Sequence, residues 1–201
     1  MSKIPQPGTP APDFEVEVLT PNMTFEKRKL SDYLGKYLVI MFYPLDFTFV
    51  CPSEIINFSD AAPALNKLNC NIIIGSCDSV FSHYAWALQD RKEGGIGLSK
   101  CDLFGDKSLK MADDYGVLIK SEGFPLRGLF IIDDKGIVRS VTVNDTQVGR
   151  SVEECMRVVQ AFQYADKTGA GIPCGWKPEK MEDIIKQDMT GMKEYFNKHY
   201  K

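Results

Sequence analysis

Two short apolar runs constrain the fold of this chain more than any other feature. Tyr37-Leu38-Val39-Ile40-Met41-Phe42-Tyr43 and Asn71-Ile72-Ile73-Ile74-Gly75 are continuous rather than alternating, and rich in β-branched and aromatic residues. Runs of this kind suit strands buried on both faces, as in the parallel part of an α/β sheet. Between them Ile55, Ile56, Phe58 and Leu65 recur at helical spacing, so the order is strand, helix, strand. Pro63 removes a backbone donor from that helix. A kink or break is expected there, with Ser59 or Asp60 capping the second piece.

The flanking segments extend the pattern. Phe14, Val16 and Val18 alternate with acidic residues, and Thr20-Pro21-Asn22 turns the chain into Met23-Thr24-Phe25, a hairpin. Leu30 to Tyr33 reads as a short turn or helix. A helix is expected from about Ser79 to Asp90, then the loop Gly94-Gly95-Ile96-Gly97, then a short helix around Met111 to Tyr115. Gly128 to Ile132 and Ile137 to Val143 read as an antiparallel pair about the turn Asp133-Asp134-Lys135-Gly136. Ser151 caps a helix through Tyr164, with Val152, Cys155, Val158, Val159 and Phe162 at helical spacing. The order is β-α-β followed by β-β-α, an α/β sheet covered on both faces. Residues 1–165 form this domain. Residues 166–201 form a tail, in which a loop delivers Cys174-Gly175-Trp176 ahead of an apolar stripe (Met181, Ile184, Ile185, Met192, Tyr195, Phe196) interrupted by Gly191.

The chemistry centres on the junction after the first run. Pro44-Leu45-Asp46-Phe47-Thr48-Phe49-Val50-Cys51-Pro52-Ser53-Glu54 places Cys51 at a helix N-terminus, with Pro52 in the first turn, where a missing N–H is no loss. Free amides and the positive end of the helix dipole favour an anion there, and the thiolate is the reactive form of cysteine. A buried structural cysteine is the competing reading. Composition narrows the rest. A net charge of −3 gives no reason to expect nucleic acid or an anionic membrane as partner. The first residues lack the apolar core of a signal peptide, and no later run is long enough to span a bilayer, so a cytoplasmic protein is expected. Six cysteines in 201 residues do not resemble a secreted disulfide scaffold. None is paired as C-x-x-C, and only His83 and His199 are available as histidine ligands, so neither metal nor haem dependence is expected and no cofactor is assigned.

Pro44, Thr48 and Cys51 form P-x-x-x-T-x-x-C within F-x-F-V-C-P-S-E-I, and here the sequence closely resembles the typical two-cysteine peroxiredoxins. The resemblance runs from Pro12-Asp13-Phe14 to Tyr195-Phe196. It implies a thioredoxin-like fold and a peroxidase acting on hydrogen peroxide or small organic hydroperoxides through Cys51. Pro44 would shield the thiolate from water, and Thr48 would accept a hydrogen bond from the peroxide and donate one to the sulfur. Arg127, in an R-G-x-F context, matches the active-site arginine of the family. Glu54 and Arg150 match two supporting positions that pair as ions, and Trp86 one that packs near the site.

The resemblance also makes Cys174 the resolving cysteine, bridging to Cys51 across two subunits after the first helical turn unwinds. The family pattern V-C-P-A-G-W-K-P reads Ile172-Pro173-Cys174-Gly175-Trp176-Lys177-Pro178 here. Two residues are missing between cysteine and tryptophan, and the loop before the cysteine is longer. A thioredoxin-like reductant, an antiparallel homodimer joined near 137–143 and a ring of such dimers are further implications. Gly94-Gly95-Ile96-Gly97 and Tyr195-Phe196 resemble motifs that slow unwinding and favour over-oxidation. Cys70, Cys77, Cys101 and Cys155 read as structural, although polar neighbours leave an exposed, modifiable thiol open at Cys101. A Cys–His hydrolase using His83 would need a base within hydrogen-bond reach and an orienting partner; a half-buried packing role for His83 is the favoured reading. A general thiol–disulfide oxidoreductase lacks C-x-x-C. A holdase or peroxide-signalling protein with secondary peroxidase activity is the alternative function.

Overall fold

A computed structural model describes residues 3–200 and separates the chain into two compact units, residues 1–152 and 153–201. The first unit is built on a seven-stranded mixed sheet. In chain order its strands are β1 (Glu15–Leu19), β2 (Phe25–Lys29), β3 (Tyr37–Phe42), β4 (Cys70–Ser76), β5 (Asp102–Gly105), β8 (Arg127–Ile132) and β9 (Val138–Asn144). The spatial order is β2-β1-β5-β4-β3-β8-β9. A two-stranded hairpin of β6 (Leu118–Ile119) and β7 (Phe124–Pro125) lies apart from the sheet. The α/β thioredoxin-like architecture is as the sequence implies.

The two apolar runs are the centre of the sheet. β3 and β4 pair in parallel across α1 (Cys51–Lys67), from Tyr37 opposite Cys70 to Phe42 opposite Gly75. Every residue of β3 is buried. Alternate side chains serve opposite faces: Leu38, Ile40 and Phe42 join one cluster with Ile73, Phe104, Tyr115, Phe130 and Val138. On α1, Ile55, Phe58, Ala62 and Leu65 are buried, and the helix packs on β4. β8 and β9 form the expected antiparallel pair, and β8 lies antiparallel to β3. The β1–β2 hairpin is also present, and Leu30–Tyr33 is a 3-10 turn.

The structure departs from the sequence reading of this unit at two places. First, α1 runs unbroken through Pro63. The proline ring faces solvent, while buried Phe58, Ala62 and Leu65 pack on either side of it. Burying such side chains is worth about 1.5–3 kcal/mol each for the larger ones, against roughly 3 kcal/mol for an internal proline. Ser59 and Asp60 do not cap a second helix. The Ser59 hydroxyl accepts the Lys100 amide at 2.8 Å, and Asp60 pairs with Arg91 and Lys100. Second, β5 was not anticipated: it pairs in parallel with β4 after α2 (Val80–Ala87), which Ser79 caps through the Ser82 amide, making a second β-α-β crossover. Cys101 is buried, in keeping with its structural reading, and burial pushes its thiol up to about 12; the alternative of an exposed, modifiable thiol falls away. The short helix α3 (Lys110–Asp114) falls where expected.

The second unit contains α4 (Val152–Thr168), longer than expected by one turn, and α5 (Met189–His199). Between them lie a bridge pairing Gly171 with Ile185 and a 3-10 turn at Pro178–Lys180. Gly191 does not interrupt a helix. It sits in the first turn of α5, where its amide is capped by Asp188 at 2.7 Å. No helix among the described residues is long and apolar enough to cross a membrane.

Phe42 meets Phe104, Tyr115 and Phe130 at centroid distances of 5.3, 5.5 and 5.9 Å. Phe42→Ala is expected to destabilise the protein by about 3–5 kcal/mol, read as a lower urea midpoint at unchanged slope.

Candidate active site

Cys51 is the first residue of α1 and only 1% exposed. The strand β3 ends nine residues earlier, so the loop 43–50 carries the chain from the edge of the core to the helix N-terminus. Its amides at the first turn have no intrahelical partner and point toward that end.

Beneath Cys51 lies a buried ionic cluster. Arg127, the first residue of β8, directs Nη1 to the Cys51 sulfur at 3.5 Å and to Glu54 Oε2 at 2.6 Å. Its Nε donates to the Thr146 carbonyl at 2.7 Å. Glu54, one turn into α1, also accepts from Arg150: the backbone N–H and Nε reach Oε1 at 2.7 Å each, and Nη2 reaches Oε2 at 2.9 Å. Arg150 Nη1 in turn donates to the carbonyls of Phe42 and Gly128 at 2.8 and 2.7 Å. The three side chains are 2–3% exposed. Surface ion pairs contribute little; these are buried. Burial alone raises the Glu54 carboxyl, but the hydrogen bonds and charge of Arg150, with the charge of Arg127, outweigh it and hold it below its ordinary value.

Two guanidiniums against one carboxylate leave an excess positive charge in a dry place. The Cys51 sulfur stands beside that charge, 3.5 Å from Arg127 Nη1. The arrangement provides donors aimed at negative charge developing on an attacked oxygen.

The other motif residues lie along the loop. Pro44 is buried and its carbonyl accepts from the Cys77 thiol at 3.6 Å. The Thr48 hydroxyl donates to the Leu45 carbonyl at 2.9 Å. Its proton is thus committed within the loop rather than to sulfur, and its lone pairs remain to accept. Phe47 takes a left-handed backbone (φ +55°), and its ring packs on Trp86 at 5.4 Å. Trp86 is fully buried and donates from Nε1 to the Gly94 carbonyl at 2.8 Å, tying down the glycine loop.

These features match known proteins closely. The model of the AhpC/TSA family matches residues 7–141, and that of the C-terminal domain of 1-Cys peroxiredoxin matches residues 161–198. A peroxiredoxin of Cynops pyrrhogaster is 54% identical over 193 residues, covering 96% of each chain. The chain belongs to the AhpC/TSA family. Among solved structures, the reduced 2-Cys peroxiredoxin of Plasmodium vivax is similar with a TM-score of 0.83 and 38% identity, covering 85% of this chain and 88% of that one. Thioredoxin peroxidase I of Plasmodium yoelii is similar with a TM-score of 0.77 and 39% identity, covering 86% and 99%. This peroxiredoxin is a thiol-dependent peroxidase.

Five residues around the loop were not read from the sequence as a group. Asp46 sits inside the motif and is 7% exposed. It accepts from Tyr43 Oη at 2.7 Å, from Ser82 Oγ at 2.7 Å and from His83 Nδ1 at 2.8 Å, while its amide donates to Asp78 at 2.8 Å. His83 Nε2 donates to the Phe104 carbonyl at 2.9 Å. Burial lowers the His83 value, but the hydrogen bond and charge of Asp46 outweigh it and the value is raised. His83 is thus a fully buried anchor of the loop rather than the half-buried packing residue expected. A carboxylate inside an apolar stretch is the one sequence signal that such a partner exists.

In the second unit Cys174 is exposed, the only one of the six cysteines in that class. Cys77 is pushed up to about 11, mainly by burial. Tyr195 and Phe196 lie on α5, Phe196 nearly half exposed.

Because the folded Glu54 value is depressed, its contribution is present above the ordinary 4.5 and is lost as pH falls through the lowered value. Glu54→Gln is expected to cost about 3 kcal/mol at pH 7. The gap to the native protein should close as urea denaturation is repeated at progressively lower pH, since both then lack the charge.

Proposed function

We propose that Cys51 is the peroxidatic nucleophile of a two-cysteine cycle and Cys174 the resolving thiol. The observation that carries the first half is the Arg127 guanidinium 3.5 Å from a buried sulfur, above a cluster with surplus positive charge. The Cys51 thiolate attacks one oxygen of hydrogen peroxide or a small organic hydroperoxide, and the O–O bond breaks. The other oxygen leaves as hydroxide or alkoxide and is protonated to water or alcohol. Pro44 walls the sulfur from solvent, Thr48 accepts the peroxide O–H, and Arg127 with the first-turn amides steadies the oxygens as the bond lengthens. Glu54 and Arg150 hold Arg127 in place, and Trp86 supports the loop through Phe47. A holdase has no need of such a cluster, which favours the peroxidase reading over that alternative.

The product is a Cys51 sulfenic acid. The Cys174 sulfur attacks it, a disulfide forms, and water leaves. Cys51, 1% exposed and fixed in a helix, must leave its first turn for this to occur. A thioredoxin-like protein then reduces the bridge, a reading supported by likeness to the thioredoxin peroxidase above. In this division residues 1–165 are the peroxidase domain and residues 166–201 the tail that carries the resolving cysteine. Homodimers assembled into rings are supported by an exposed aromatic patch. Phe25 packs in tilted contact with Phe81 and Tyr84 at 4.9 and 5.8 Å, and Phe81 is 67% exposed. A cytoplasmic setting, where thiols stay reduced, suits six free cysteines.

One equivalent of hydrogen peroxide, followed by non-reducing gel and mass spectrometry, tests the cycle. A dimer band holding a Cys51–Cys174 bridge is expected, absent in Cys174→Ser. A Cys51 that stops at sulfenic acid, or bridges elsewhere, overturns the resolving role. Arg127→Gln is expected to slow oxidation of Cys51 by about 10²- to 10³-fold, measured by stopped flow; an unchanged rate removes Arg127 from the site.

A further inference from the structure

Cys174 sits on a turn that is held from α4. The Trp176 amide donates to the Pro173 carbonyl at 3.2 Å, and Gly175 takes φ +71°, closing a four-residue turn with Cys174 at its exposed apex. Trp176 is buried. Its ring stacks on Tyr164 at 6.1 Å and 21°, and its carbonyl accepts from Arg157 Nη1 at 3.3 Å. Arg157 and Tyr164 are seven residues apart, two turns along one face of α4. One helix face therefore fixes both the ring and the backbone of Trp176, and with them the turn.

The other edge of the Arg157 guanidinium is occupied. Nε and Nη2 fork onto the two Glu154 oxygens at 2.7 Å each, a bidentate grip that sets the plane of the group. An i,i+3 pair of this kind on a helix surface is ordinarily worth little; here it leaves Nη1 aimed at the turn. The hydrogen bond from Glu154 is the main reason that Arg157 is raised.

We propose that Arg157 is a positioning residue for the second step: it clamps the Pro173–Trp176 turn that presents Cys174. The proposal rests on the reading of Cys174 as the resolving cysteine. In that step the Cys174 thiolate attacks the sulfur of the Cys51 sulfenic acid. The S–S bond forms as the S–O bond breaks, and the departing hydroxide is protonated to water. The hydroperoxide of the first step is the only oxidant. Arg157 touches neither the peroxide nor Cys51, so its removal acts on resolution alone.

The test is rapid mixing of the full-length enzyme with one equivalent of hydrogen peroxide, with disulfide formation followed in the native protein, Arg157→Gln and Arg157→Lys. Arg157→Gln is expected to slow the bridge by about tenfold and to leave the rate of Cys51 oxidation unchanged. Arg157→Lys, which keeps a charged donor for the Trp176 carbonyl, is expected to recover most of the rate. An unchanged rate in Arg157→Gln overturns the proposal. So does equal slowing in both variants, which marks a purely structural role. A native protein that forms no Cys51–Cys174 bridge at all instead overturns the assignment of Cys174.

Discussion

Glu54 receives four hydrogen bonds from two arginines in a place with almost no water, and the rest of the active unit is arranged around that fact. A buried carboxylate is destabilising unless its oxygens are fully engaged, and this one, in the first turn of α1, is engaged from two directions. Arg127 comes from the start of β8, and the Arg150 amide and side chain from the loop before α4. Arg150 then reaches the carbonyls of Phe42 and Gly128. The end of β3, the beginning of β8 and the N-terminus of α1 are thereby locked into one frame. The Cys51 sulfur stands beside that frame, 3.5 Å from Arg127 Nη1.

How much of this was legible depends on the range of the interaction that decides each element. β3, β4 and the β8–β9 pair could be read because their apolar runs are local and strong. β5 could not: only Leu103 and Phe104 are apolar in four residues, and its strand character comes from parallel pairing with β4. Pro63 misled because a local rule was applied where packing on both sides of the proline decides. At the site, Pro44, Thr48 and Cys51 lie within eight residues and could be read together. Arg127 and Arg150 are distant in sequence, and nothing short of the fold distinguishes a buried cluster from surface pairs. The Asp46–His83 contact spans 37 residues and stayed hidden, since either residue alone reads as an ordinary polar side chain.

The loop between β3 and α1 shows a second use of buried polar groups. Asp46 is bound by Tyr43, Ser82 and His83, and its amide by Asp78. Thr48 turns its hydroxyl proton back to Leu45. Phe47 is held in a left-handed conformation, which a non-glycine residue adopts only when its surroundings impose it, and the Trp86 contact is part of that surrounding. Pro44 and Thr48 are therefore placed by groups that take no part in the chemistry. Such pre-organisation suits a reaction in which donors and acceptors must already face the oxygens when the bond begins to break.

Burial of Cys51 sets two requirements against each other. A sulfur shielded from water is protected from larger thiols and can be reached by a molecule as small as a peroxide, but a protein sulfur cannot approach it there. In the proposed cycle the oxidation itself disturbs the one contact that the sulfur makes with the cluster, the 3.5 Å approach of Arg127 Nη1. The four bonds to Glu54 do not involve the sulfur, so the turn that carries Cys51 can loosen without the frame below it. On that reading the lifetime of the sulfenic acid depends on two quantities: how readily that turn unwinds, and how well the Cys174 turn is presented.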